Sequence, residues 1–191
     1  MSKLRQHLEM PSRGFWRSWL ESNHDTSLGV WLRLQKGGGG LTYDEAVEEA
    51  LCFGWIDGKV RRIDDEYYVR SFTPRKPRGN WSKLNKERVA RLKGQGLMTE
   101  AGLQAIKIAK RDGSWTSLDA VEALEVPDDL ASALAADHEA QRNFSAFPAS
   151  ARKAYLYWVI SAKRPATRAK RVIDVVGLAK QNKKSRYDRP R

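Results

Sequence analysis

Two runs of cationic side chains are the residues of this 191-residue chain best suited to act on another molecule. Residues 73–93 hold eight Lys/Arg against one acid, Glu87, and residues 163–191 hold eleven against Asp174 and Asp188. The chain carries a net charge of +12, so these two runs exceed the whole excess and leave the remainder net negative. Within that remainder, residues 119–139 contain seven acids and no Lys or Arg. Positive charge concentrated in this way selects anionic partners: nucleic acid, another polyanion or a phosphorylated small molecule, with an acidic protein as the alternative.

In the first run, the loop Pro74–Asn80 carries Arg75, Lys76 and Arg78, and the helix expected after Ser82 carries Lys83 and Lys86. The loop can offer guanidiniums and backbone donors to phosphate, and the helix N-terminus adds a favourable dipole. Trp81 supplies a surface on which a base could stack. Lys83, Glu87 and Arg91 follow i, i+4 spacing and can pair with one another, but one acid neutralises at most two of these cations. In the second run, Lys163 and Arg164 precede a helix expected to start at Pro165, with Arg168 and Arg171 on its first turns. A planar guanidinium suits bidentate contact with phosphate or carboxylate. The competing use is internal pairing with the acidic stretch 119–139. Nucleic acid is the expected partner, held by these ten residues through contacts that weaken steeply with salt.

Trp55 and Asp57 fall between a helix stop and a strand, where functional groups are often displayed. Asp57 either closes the Asp-Gly turn or orients a basic neighbour such as Arg75. Trp55 has an ordinary use as core. Cys52 lies seven residues from Glu45, nominally on the polar stripe of its helix, and at a helix C-terminus where the dipole opposes a thiolate. It is expected to be a small packed thiol. The three histidines are far apart and no Cys/His spacing matches a metal site. The glycines 37–40 lack the Gly-Lys-Ser/Thr that would make a phosphate loop. No catalytic, metal or cofactor set is therefore assigned. A non-enzymatic role leads, and the alternative is an enzyme or small-molecule sensor with a pocket near Trp55, Asp57 and Arg75.

The elements that must position these groups can be read from periodicity. Phe15, Trp16, Trp19 and Leu20 predict a helix over about 12–22. The alternation in 28–36 predicts a half-buried strand with Val30, Leu32 and Leu34 inward and Trp31, Arg33 and Gln35 outward. Thr42-Tyr-Asp-Glu45 reads as a capping box. It opens a helix with Ala46, Val47, Ala50 and Leu51 inward, Glu45, Glu48 and Glu49 on the opposite stripe, and Gly54 as its stop. Residues 58–63 and 67–72 read as a hairpin around Asp64-Asp65-Glu66. Helices follow to about Lys93 and Arg111, capped by Ser82 and Thr99. Short ones come after Ser117 and Val126, and longer ones at about 149–163 and from Pro165, the last with Ala169, Val172, Ile173 and Val176 inward. The fold class is α+β: a small, mostly antiparallel sheet packed with helices, then a helical C-terminal module. The expected division is 1–115, 116–180 and a basic disordered tail, 181–191.

Two blocks carry a family resemblance. Leu51-Cys-Phe-Gly-Trp-Ile-Asp-Gly58, Phe72-Thr-Pro-Arg-Lys76 and Trp81-Ser-Lys-Leu-Asn85 mark the first, at about 13–98. Phe144, Pro148, Arg152, Trp158, Ser161-Ala-Lys-Arg-Pro165, Thr167-Arg168 and Arg171 mark the second, at about 128–178. Both blocks resemble the YdeI/OmpD-associated, or bacteriocin-protection, family. The resemblance implies a bacterial protein of stress or bacteriocin tolerance and brings no catalytic residue with it. A single cysteine suits a reducing compartment, no apolar leader is visible, and no run reaches the roughly 18 residues of a membrane span. A cytoplasmic location is the expectation.

Overall fold

A computed structural model describes residues 6–187, which divide into two compact units, Met1–Ser117 and Leu118–Arg191. The fold is α+β. In the N-terminal unit the described elements are β1 (His7–Glu9), α1 (Arg13–Asn23), β2 (Val30–Gln35), α2 (Tyr43–Cys52), β3 (Trp55–Arg62), β4 (Tyr67–Pro74), α3 (Lys83–Gly94) and α4 (Glu100–Arg111). The four strands run in the order β1-β2-β4-β3. β2–β4 and β4–β3 are antiparallel, and β1 adds a parallel edge against β2. That three-residue strand is too short to show a period in the sequence.

The expected alternation of β2 places Val30, Leu32 and Leu34 in the core with Phe72, Trp16, Leu20, Val47, Leu51 and Leu92. Edge-on contacts of Trp16 with Trp55 and Phe72 tie α1 to the sheet. The outward face is less open than the alternation implied. Trp31 is only 2% exposed, because the Arg61 guanidinium lies 4.4 Å over its ring and His7 stacks beside it. The pleat decided the direction of the side chain, and cross-strand cations then covered it.

α2 begins with the full capping box: Thr42 Oγ1 accepts from Glu45 N, and Glu45 Oε2 accepts from Thr42 N at 2.9 Å. Its polar stripe is a correction to the sequence reading. Glu49 is 2% and Glu48 7% exposed, not solvated. Arg13 and Arg17 of α1 donate to Glu49 at 2.6 and 2.7 Å, Arg13 reaches Glu48 at 3.1 Å, and Arg91 of α3 pairs with Glu48. Two helices with cationic faces pack on this stripe, so it became an interior ion-pair network. Burial alone would lower the Arg13 and Arg17 pKa values, but hydrogen bonds and charge from Glu49 outweigh it and hold both above the ordinary guanidinium value. Cys52, nominally on the same stripe, is fully buried, and burial with the Glu49 charge pushes its thiol up to about 11.

The C-terminal unit consists of α5 (Asp119–Glu122), α6 (Asp128–Ala135), α7 (His138–Ala146), α8 (Ala149–Ile160) and α9 (Pro165–Lys180). Its core joins Leu130, Leu134, Phe144, Leu156, Val159, Val172 and Val175. Ile173, expected inward, is 71% exposed, and Val175 takes the buried position instead. α7 has no apolar run long enough to announce itself. It starts at Asp137, which accepts from Ala140 N at 3.1 Å and from Lys180 of α9 at 2.9 Å. Part of the expected disordered tail is also ordered. Lys183 N donates to Leu178 O, Tyr155 Oη donates to Lys183 O, and Arg186 lies 5.1 Å from the centre of the Trp158 ring. Residues 188–191 of that expected tail lie outside the described residues.

Candidate anion-binding pocket

Two glycines let backbone approach backbone closely where α2 ends. Gly54 takes φ +72° and stops the helix, and a Cβ there would lie 2.9 Å from Ala101 O. Gly102 is tighter still, since its Cβ would lie 2.2 Å from Cys52 O. The same Cys52 carbonyl accepts from Thr99 N at 3.2 Å and Thr99 Oγ1 at 2.6 Å. Thr99, expected to cap its own helix, thus closes the C-terminus of α2, whose last carbonyls have no partner within the helix. α4 is thereby fixed against the α2–β3 junction. On the other side of that junction, Arg75 N donates to Gly54 O at 2.9 Å and holds the end of β4 in place.

Between these elements lies a cavity of about 230 Å³. Trp55, Pro74, Ala105 and Ile108 give it apolar walls, and Arg75, Lys76, Arg78, Asp112 and Ser114 give it polar ones. The Arg75 guanidinium sits 3.5 Å over the Trp81 ring, and Nη1 donates to Asn80 O at 3.3 Å. Its other edge, Nε and Nη2, is buried without a hydrogen-bond partner. Ser114, only 6% exposed, lies beside Asp112, whose carboxyl is held below its ordinary value by the Ser114 side chain and by the backbone N–H groups of Ser114 and Arg78. Burial depresses the Arg75 pKa to about 10, against a through-space pull from Asp57 in the other direction. The guanidinium is still charged at neutral pH, with the three N–H donors of Nε and Nη2 unused out of its five.

The other candidate residues fall as follows. Trp55 lines the cavity but is 1% exposed and otherwise core, its Nε1 donating to His24 O at 3.1 Å. Asp57 is not in the cavity. Within β3 it accepts from Tyr43 Oη at 2.9 Å and from Arg70 at 2.7 Å, with the Arg70 guanidinium over the Tyr43 ring. It therefore neither closes a turn nor bonds to Arg75. Burial, then the hydrogen bond to Asp57, pushes the Tyr43 hydroxyl up to about 12. Trp81 is 2% exposed, pressed between Arg75 and Trp115, and offers no face to a nucleobase. Lys76, Arg78 and Lys83 are exposed, and Lys86 is half-buried at 5.7 Å from the Trp115 ring centre. Of the other cations in that run, Arg88 pairs with Asp44 and Arg91 with Glu48.

In the C-terminal unit, Lys163 and Arg164 are exposed just before α9. Arg168 is bidentate to Asp129, at 2.6 and 2.9 Å. Arg171 donates to Trp158 O at 2.5 Å and lies 3.1 Å from Ser161 Oγ. The competing use foreseen for this run, pairing with the acidic stretch, thus holds for Arg168. Ser114 and Asp112 were missed by sequence reasoning. Gly113 marks a helix stop, but nothing in the order of residues says that this stop returns to Arg75.

Comparison with known families divides the chain in the same place as the fold. Residues 8–105, just over half of the chain, match the model of a domain of unknown function, DUF8412. The chain belongs to that family. Residues 123–182 match the model described as bacteriocin-protection, YdeI or OmpD-associated, so the second block carries that domain. The motifs of the first block, including Leu51–Gly58 and Phe72–Lys76, fall within the domain of unknown function and not within the YdeI/OmpD-associated match. No curated protein and no solved structure matches the chain. No helix among the described residues is long and apolar enough to cross a membrane, and no group of His, Cys, Asp and Glu among them could hold a metal.

Proposed function

We propose that the domain of unknown function captures a compact anionic small molecule at Arg75, and that the chain uses this capture in the bacteriocin protection after which its second domain is described. The observation that carries the reading is the unused Nε–Nη2 edge of a buried, charged guanidinium lining a cavity. Those two N–H groups form the fork that matches a carboxylate or phosphate. A buried charge without a partner is costly and is retained where something else supplies the partner. The volume, about 230 Å³, falls below the ~300–1,000 Å³ usual for drug-sized ligands, so the occupant is small. The walls Trp55, Pro74 and Ile108 favour one with an apolar body. Phenyl phosphate and benzoate are suitable probes, with benzamide as the neutral control. The anions should raise the unfolding temperature and benzamide should not. Equal response to all three would remove Arg75 from the account.

A second reading, nucleic-acid binding by exposed cations, is supported by Lys76, Arg78 and Lys83 in the N-terminal unit and, separately, by Lys163 and Arg164 in the C-terminal unit. It asks less of Trp81, Arg168 and Arg171, whose groups are already engaged. Titration of labelled single- and double-stranded DNA at 50 and 200 mM salt tests it. Binding through the three cations of the N-terminal unit alone should fall by roughly one to two decades, as roughly 0.7–0.9 counterions are released per contact. An affinity that does not change with salt would rule this reading out.

A further inference from the structure

A second cavity of the N-terminal unit, of about 410 Å³, has a different chemistry. It lies between α3 and α4. α3 contributes Val89 and Ala90 between Lys86 and Lys93, and α4 contributes Leu103 and Ile106 followed by Lys107 and Lys110. The i, i+3/i+4, i+7 spacing puts each set on one helix face. Trp115 completes the floor, with Lys110 Nζ 5.5 Å from its ring centre. No carboxylate, hydroxyl or amide side chain lines the groove. Lys93, Lys107 and Lys110 are exposed, and none of them has an ion-pair partner among the described residues.

We propose that this groove binds a single-chain anionic amphiphile taken up as a free molecule. The apolar chain lies along Val89, Leu103, Ile106 and Trp115, and the carboxylate or phosphate sits among Lys93, Lys107 and Lys110. Charge complementarity sets the sign: three ammoniums border one groove with no anion of the protein to answer them. Lysine stems can follow such a chain while their heads stay in water. The floor sets the rest, because Val89, Ala90, Leu103, Ile106 and the Trp115 ring favour methylenes over a polar ligand.

The test uses the full chain and calorimetric titration with octanoate, decanoate and dodecanoate below their micelle concentrations. Dodecyltrimethylammonium serves as the charge-reversed control. Each seated methylene should tighten binding about fourfold until the groove is full. The cationic analogue should bind at least tenfold more weakly. The double substitution Lys107→Glu/Lys110→Glu should cost dodecanoate more than tenfold, with an unchanged circular dichroism spectrum. Should that variant misfold, the chain-length series and the charge control on the unaltered protein decide. Four outcomes would overturn the proposal: equal binding of the cationic analogue, no gain from octanoate to dodecanoate, unimpaired binding by a folded double variant, or binding of anionic vesicles or an acidic helical peptide without binding of dodecanoate. Arg75→Met should leave dodecanoate binding intact, which separates this site from the pocket at Arg75.

Discussion

Replacing Arg75 by Met is expected to stabilise the free protein while abolishing its response to anions. Arg75 is depressed from the ordinary guanidinium value to about 10 chiefly by burial. At ~1.4 kcal/mol per pH unit, holding the charge in place costs at most about 3 kcal/mol at neutral pH. The sign follows from the lowered value. The unfolded chain holds this proton more tightly than the folded one, so the cost is fully present below pH ~10 and is relieved only as pH rises toward the ordinary guanidinium value. Methionine removes the charge and keeps an unbranched side chain over Trp81. It forfeits the stacking of the guanidinium on that ring, ~0.5–2 kcal/mol, and the bond from Nη1 to Asn80 O, ~1 kcal/mol. The balance is a gain of roughly 1 kcal/mol, read as a rise in the urea midpoint at unchanged slope. Phenyl phosphate at a hundred times its dissociation constant should add ~2.7 kcal/mol to the unaltered protein and nothing to the variant. A variant destabilised by 2 kcal/mol or more, or one that still responds to phenyl phosphate, would refute the idea that Arg75 is a buried charge awaiting a ligand.

Glu49→Ala leaves Arg13 and Arg17 facing an empty position on α2. Breaking a buried pair costs ~3–5 kcal/mol, and because both arginines reach solvent the lower end is expected. A urea-derived loss under 1 kcal/mol would mean that the network is incidental. Asp129→Asn tests the pH behaviour of the C-terminal unit. The hydrogen bond from Arg168 holds the Asp129 carboxyl below its ordinary value. Its contribution is therefore present above pH ~4 and is lost as pH falls through the lowered folded value. The variant should be less stable at pH 7, by no more than the ~1 kcal/mol of an exposed pair, and indistinguishable from the unaltered protein at pH 2. A constant difference across that range would assign the effect to something other than the charge.

The elements were legible wherever their signal was local. The capping box at Thr42, the αL stop at Gly54, the hairpin around Asp64 and the Pro-started α9 all depend on residues a few positions apart, and all appear where the sequence puts them. What the sequence did not convey are relations between distant residues. Glu48 and Glu49 read as a polar stripe opposite the core-facing residues of α2, because periodicity shows only the helix's own two faces. Their partners Arg13, Arg17 and Arg91 lie 32 to 43 residues away. Trp81 read as a stacking surface because it stands beside basic residues, yet the stacking it makes is internal, on Arg75. Arg75 itself was named both in the basic run and as a neighbour of the pocket. Only the packing of α4 at Gly54 and Gly102 separates those two uses.

Arginine makes most of the ion pairs among the described residues, with Lys153 and Lys180 pairing as well, and this bias bears on function. Arg13, Arg17, Arg33, Arg70, Arg88, Arg91 and Arg168 each pair with a carboxylate of the chain. Among the lysines, Lys76, Lys83, Lys93, Lys107, Lys110 and Lys163 stay exposed. A guanidinium is weakly hydrated and forked, so it gains more from a fixed partner, whereas an ammonium keeps its water. Two kinds of anion recognition follow. The exposed lysines offer point charges that attract any anion and yield to salt. Directional recognition needs a guanidinium with fixed donors to spare, and Arg75, which lines a cavity, keeps Nε and Nη2 buried without a partner. Selectivity among small anions should therefore follow Arg75 and persist at salt concentrations that abolish binding to the lysine surface.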